Sequence, residues 1–304
     1  MSAPTPARDG DRAARVPAPA LAVAAMVSVQ LGAAIAKTHF DVVGSVGAAV
    51  LRLTIGAVVF ALVVRPAVRS WDRAQWLGAL GLGLALGGMN VCIYVAFASI
   101  PIGIAVTVEF LGPLALSLVY TRRWRDVVWA ALALAGVVLL GVGASGPAAV
   151  AGFVFAVVAA VCWAAYIVLN RHVGARIPGV DGLSVSLVVA MLVALPVGAG
   201  AAVHGVRADP VLLLVFGAVA VLSSVLPYAL EMQALRTLPP RVFGVLQSLG
   251  PAIAALAGFA IAGEALSARE LVALACVTLA SIGVTVSGRR ERGRSTPVPD
   301  APPA

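Results

Sequence analysis

Charge is what this sequence has least of. Only 11% of its 304 residues are Asp, Glu, Lys or Arg, against roughly a quarter in a typical soluble domain. A water-soluble fold of this length cannot clothe its surface with so few. Hydrophobic residues make up 61%, and the excess must face lipid. The strand alternation of a transmembrane barrel is also missing. An open sheet is excluded because its unpaired backbone groups would go unsatisfied in hydrocarbon. Helical spans of about 20 mainly apolar residues remain.

Other absences narrow the chemistry. There are three cysteines, Cys92, Cys162 and Cys276, each within an apolar run and without C-x-x-C spacing. Small packing residues are the expectation, with no disulfide and no metal site. The three histidines, His39, His172 and His204, are unclustered and are expected in loops. No Walker lysine loop, H-E-x-x-H pair or nucleophile elbow occurs, which argues against an ATP-driven pump and a membrane hydrolase. No enzyme activity and no cofactor are expected. Lysine is reduced to Lys37, and the Ala/Gly/Arg-heavy composition suits a GC-rich bacterial genome. The net charge of +8 does not point to nucleic acid, because the arginines sit in short gaps between apolar runs and form no basic stripe.

Apolar runs are present at 20–38, 44–64, 76–97, 101–120, 126–143, 150–170, 182–203, 211–232, 242–262 and 270–287. Turn and charge clusters separate them, sharply at Arg65–Arg73 and softly at Ser99-Ile100-Pro101. The chain is thus expected to be an all-α integral membrane protein of ten spans. Seventeen of its 21 Lys and Arg fall in the tails and the even-to-odd loops. Lys37, Arg207 and Arg269 fall on the other side, and Arg52 lies inside a span. The positive-inside rule then places both termini in the cytoplasm of a plasma membrane. Residues 1–19 and 289–304 read as disordered tails. The first apolar run is as long as a full span and is read as a helix, not a signal peptide.

A repeat is visible. Ala96, Pro101 and Leu111-Gly112-Pro113 recur as Ala234, Pro239 and Leu249-Gly250-Pro251, always 138 residues later. Five-helix units at 20–143 and 144–288 are expected. Five is odd, so the second copy is inverted in the membrane. Inverted repeats mark secondary transporters, with binding sites near the midplane between the repeats.

Polar groups inside spans are costly and line cavities or pair with one another. Glu109 stands out, in apolar sequence just before Gly112-Pro113, where a proline frees a carbonyl and can bend the helix. It can bind an amine or a proton, or form a buried ion pair with Arg52. Burial and a nearby arginine act on its ionisation in opposite senses. Its repeat-equivalent, Gln247, is polar but uncharged. Glu231 can snorkel, pair with Arg236 or meet substrate. Lys37 can snorkel or bind a carboxylate. Asn90, Tyr94, Tyr166, Asn170 and Tyr228 are further cavity candidates or interhelical contacts, and Trp163 lines the cavity or packs.

These residues resemble the drug/metabolite transporter superfamily, in its ten-helix EamA-type branch. The likeness rests on Ile35-Ala36-Lys37, Leu51-Arg52-Leu53, Gly87-Gly88-Met89-Asn90 and Cys162-Trp163-Ala164. It is fullest over Pro101–Val106 with Glu109–Leu114, and over Leu226–Met232, and it closes with Gly263-Glu264. The resemblance is greatest to bacterial inner-membrane exporters of threonine and homoserine. It implies proton-motive-force-dependent export of small amino acids from a cavity between two halves, with Glu109 and Glu231 at polar positions of the family pattern. A zwitterion would set its ammonium against Glu109 and its carboxylate against Arg52 or Lys37. Competing expectations are a carrier of another metabolite or a lipophilic cation, which an aromatic content of 6% disfavours, and a non-transporting membrane protein. A monomer and a homodimer are both open.

Overall fold

The computed structural model describes residues 17–121, 124–141, 146–177, 179–235 and 237–287. All regular structure among them is helical. The first half holds α1 (Ala18–Lys37), α2 (Phe40–Val64), α3 (Arg73–Ser99), α4 (Ile102–Glu109), α5 (Leu111–Thr121) and α6 (Trp124–Gly141). The second holds α7 (Pro147–Gly174), α8 (Asp181–Ala208), α9 (Leu212–Ala220), α10 (Leu226–Leu235), α11 (Pro240–Gln247), α12 (Gly250–Ala262) and α13 (Ala268–Ser287). Helices α4 and α5 form span four, α9 and α10 span eight, and α11 and α12 span nine. Nine stretches among the described residues are long and apolar enough to cross a bilayer, and Val127–Gly141 is a shorter apolar tenth. The ten expected spans are met. Of the expected tails, 1–16 and 289–304 lie outside the described residues, as do 122–123 of the arginine loop and the boundary between the halves at 143–144. Ala18 and Pro19, expected in the N-terminal tail, instead open α1, since a proline in the first helical turn needs no N–H partner.

Several helices outrun their apolar stretches. α3 starts at Arg73, before the run at 76, because Asp72 and Gln75 form a capping box, each side chain bonding the other's backbone N–H at 2.8 Å. Such reciprocal bonds satisfy N–H groups that the first turn leaves free. His172 and His204, expected in loops, instead lie within α7, in its last turn, and within α8, one turn before its end, because both helices outrun their apolar stretches. His39 does fall between helices, α1 and α2.

The 138-residue spacing has a counterpart in two half-helices. Pro101 and Pro239 are the N-cap residues of α4 and α11, and both helices run eight residues, to Glu109 and Gln247. Each half-helix then tightens into a turn before Gly-Pro. The helix is not unwound there: Phe110 N–H still reaches Val106 O at 2.9 Å. Pro113, however, has no N–H for Glu109 O, and Pro251 has none for Gln247 O. The two breaks touch, with the Phe110 ring packed against Gly250.

Packing crosses between the halves. α2 lies on α8, α3 on α7 and α8, α1 on span eight and α12, α4 on α7 and α12, and α6 on α13. Advancing the spans by five turns α3 on α7 into span eight on α1, and α4 on α7 into span nine on α1, both of which are present. Small residues let these backbones meet where lipid gives no hydrophobic drive. A Cβ added at Gly198 of α8 would stand 2.6 Å from Val46 O of α2, and one at Gly112 would collide with Ala160 O of α7. Span eight carries a π-turn at Val221–Val225, whose Leu222 O accepts from Ser28 of α1 at 2.6 Å.

Candidate functional site

A buried polar group forms where α2 and α3 face span four. Asn90 donates through Nδ2 to Leu86 O of its own helix at 2.8 Å. That bond turns Oδ1 toward α2, where it accepts from Arg52 Nη1 at 2.6 Å. The Arg52 guanidinium also lies 5.6 Å from the centre of the Tyr94 ring, within cation–π range. Tyr94 is almost fully enclosed, between Phe40 and Phe97 at ring separations of 5.9 and 5.7 Å. Its hydroxyl and the Arg52 Nε are both buried without a hydrogen-bond partner. Such groups are rare in native interiors and call for an acceptor.

Glu109 is buried at the end of α4. Arg52 acts on it through its charge, but the two form no ion pair. The direct salt link considered from sequence is therefore not made. Arg52 bonds Asn90 instead. Next to Glu109, Phe110 meets Trp163 edge-on at 4.8 Å and 88°. Trp163 thus packs on the break itself. Cys162 feels the charge of Glu109, and Cys92 lies close enough to interact with Cys162.

The second half supplies a matching but different corner. Gln247, at the end of α11, lies close to the Glu231 carboxyl of α10. Glu231 lines a cavity of about 690 Å³ together with Tyr166 and Asn170 of α7 and apolar residues of α2, α8 and α10. This cavity opens at the arginine-rich end of the bundle, where α2, α7 and α10 finish. Tyr228 lies on α10, and its side chain is outside the described residues.

Lys37 is not part of this group. It sits at the opposite end of the bundle, 2.5 Å from Glu264 Oε1 in the loop after α12. Its Nζ also donates to Ile100 O at 3.1 Å. Of the two cations offered for a carboxylate, only Arg52 lies beside Glu109.

Among curated proteins, the threonine/homoserine exporter RhtA of Salmonella typhimurium strain SL1344 is 40% identical over 269 residues, spanning 88% of this chain and 90% of that protein. The protein of the same name in Escherichia coli K12 is 39% identical over the same spans. The model of the EamA-like transporter family matches residues 150–286. The chain belongs to the EamA-like transporter family. It is a transporter, not an enzyme. A protein of known crystal structure has the same fold, with a TM-score of 0.57 and 22% identity over 90% of this chain and 99% of that one.

The EamA match covers the second half, yet Arg52 and Glu109 are in the first. Sequence reading missed the partner of Lys37. Both Lys37 and Glu264 close spans that end on the same face, so opposite charges at one rim were the available signal. It also missed the π-turn, whose Ser223 and Ser224 are buried between helices. Nothing in the apolar pattern marks a single extra residue in a turn.

Proposed function

We propose that the protein exports small amino acids, threonine, homoserine or close relatives, across a bacterial plasma membrane by alternating access coupled to the proton-motive force. The observation that carries this reading is the separation of Arg52 and Glu109. A guanidinium and a carboxyl group share one polar place inside the bundle without forming an ion pair. Burying unpaired charges is costly, and a zwitterion between them supplies both counter-charges. The ammonium goes to Glu109 and the carboxylate to Arg52, whose Nε lacks a partner. Glu109 is then free to hold a proton when the substrate is absent, which makes it the point of exchange.

Orientation follows from the arginine bias, with both termini and the large cavity on the cytoplasmic side. Substrate enters past Glu231, Tyr166 and Asn170. Two five-span units, the second inverted, rock about the contact between their broken helices. The identity to curated threonine/homoserine exporters supports the substrate class.

The test is efflux of labelled threonine and homoserine from cells overproducing the protein, with and without a protonophore. Efflux above the empty-vector level that collapses with the protonophore is expected. No efflux of either amino acid, from protein present in the membrane, would overturn the substrate assignment.

A further inference from the structure

Lys37 and Glu264 come from opposite halves, and their contacts extend beyond one ion pair. Lys37 Nζ bonds Ile100 O, and Ile102 N–H donates to Glu264 Oε2 at 2.8 Å. Between them stands Pro101, whose side chain cannot cap α4. Glu264, 162 residues from Ile102, does so. Four segments are therefore joined at one point: the end of α1, the end of α3, the start of α4 and the loop after α12. The joint has a fixed polarity. A carbonyl sits beside the ammonium, and an N–H at the positive end of a helix dipole sits beside the carboxylate. The two side chains are 20% and 12% exposed, at the end of the bundle opposite the cavity.

We propose that the Lys37–Glu264 joint is the outer gate of the transport path, which rests on the alternating-access reading and orientation given above. The helix ends it ties belong to α1, α3 and α4 on one side and to the α12–α13 loop on the other. Those are the contacts that must part for substrate held near Glu109 to leave outward. The joint lies at the rim, so once parted both charges can take up water, and opening costs less than separating a fully buried pair. Lys37 and Glu264 act by holding the path shut and do not touch substrate in this conformation.

Two native thiols report the gate. With Cys276→Ala as parent, Cys92 and Cys162 remain beside the Glu109 site. The measurement is their rate of reaction with a membrane-impermeant maleimide, from outside in intact cells and from the cytoplasmic face in inside-out vesicles. Glu264→Gln is the informative variant, because its amide oxygen still accepts from Ile102 N–H while the charge is gone. The parent is expected to react slowly from outside and faster from inside. Glu264→Gln, and separately Lys37→Met, should raise the outside rate by about tenfold, as a shift of the closed population requires. An outside rate unchanged in both variants, with vesicle labelling showing folded protein, overturns the gate. A parent that reacts fast from outside and slowly from inside instead overturns the orientation. Neither result depends on which substrate is carried.

Discussion

Glu109 and Gln247 end equivalent half-helices 138 residues apart, and only Glu109 is ionisable. Each also owns the carbonyl that the following proline leaves without an intrahelical donor. The scaffold is twofold at this point and the chemistry is not. Glu109 faces the field of Arg52, whereas Gln247 is engaged by Glu231. Of the two half-helix ends, one bears a titratable side chain and the other an amide.

Glu109→Gln makes the two breaks alike. The amide fills the same volume, so the protein is expected to reach the membrane in normal amounts. Coupled efflux of labelled threonine should fall by about tenfold or more, as when an interaction needed for turnover is removed. Wild-type efflux by this variant would remove Glu109 from the mechanism.

Asn90→Leu keeps the size of the side chain but strands Arg52 Nη1. A buried donor left without its acceptor costs about 1–3 kcal/mol. Thermal unfolding in detergent should show the loss as a lower midpoint. Asn90→Asp, which retains an acceptor oxygen, should unfold closer to wild type.

Two glycines are expected to respond with opposite signs. Gly112→Ala drives a methyl into Ala160 O of α7, and overpacking of this kind costs about 1–3 kcal/mol. Gly200 of α8 has nothing within 4 Å of an added Cβ, so Gly200→Ala gains helix propensity worth up to about 1 kcal/mol. The pair of midpoints checks the α5–α7 contact independently of transport.

Orientation is open to a direct assay. A reporter fused after Gly288 should be active only in a format that reads the cytoplasm, and one fused after Asp209, between α8 and α9, only in a format that reads the outside. The reverse pattern would sink the cytoplasmic placement of the cavity.

The spans could be read from the sequence because lipid imposes one demand, a run of apolar residues of sufficient length, and ten runs meet it. Helix ends could not, since they depend on side chains such as Asp72 that bond the backbone of their own first turn. The repeat was legible through its prolines. At the site, Arg52, Asn90, Tyr94 and Glu109 announced themselves as polar groups in apolar sequence. Their pairing was not legible. Whether Arg52 bonds Glu109 or Asn90 depends on the Leu86 carbonyl that turns the Asn90 amide, and spacing along the chain does not encode that. The Lys37–Glu264 pair was not legible for the same reason, because the partners are 227 positions apart.

The exchange of packing partners between halves bears on how the chain is made. α2 and α3 rest on α7 and α8, and α1 on span eight, so a ribosome releases the early helices before their partners have been synthesised. They must wait in the bilayer, tolerated by lipid alone, until the sixth to eighth spans emerge, and assembly is a late event. The same arrangement means that two separately translated five-span polypeptides, divided within residues 142–146, should find one another and restore the carrier.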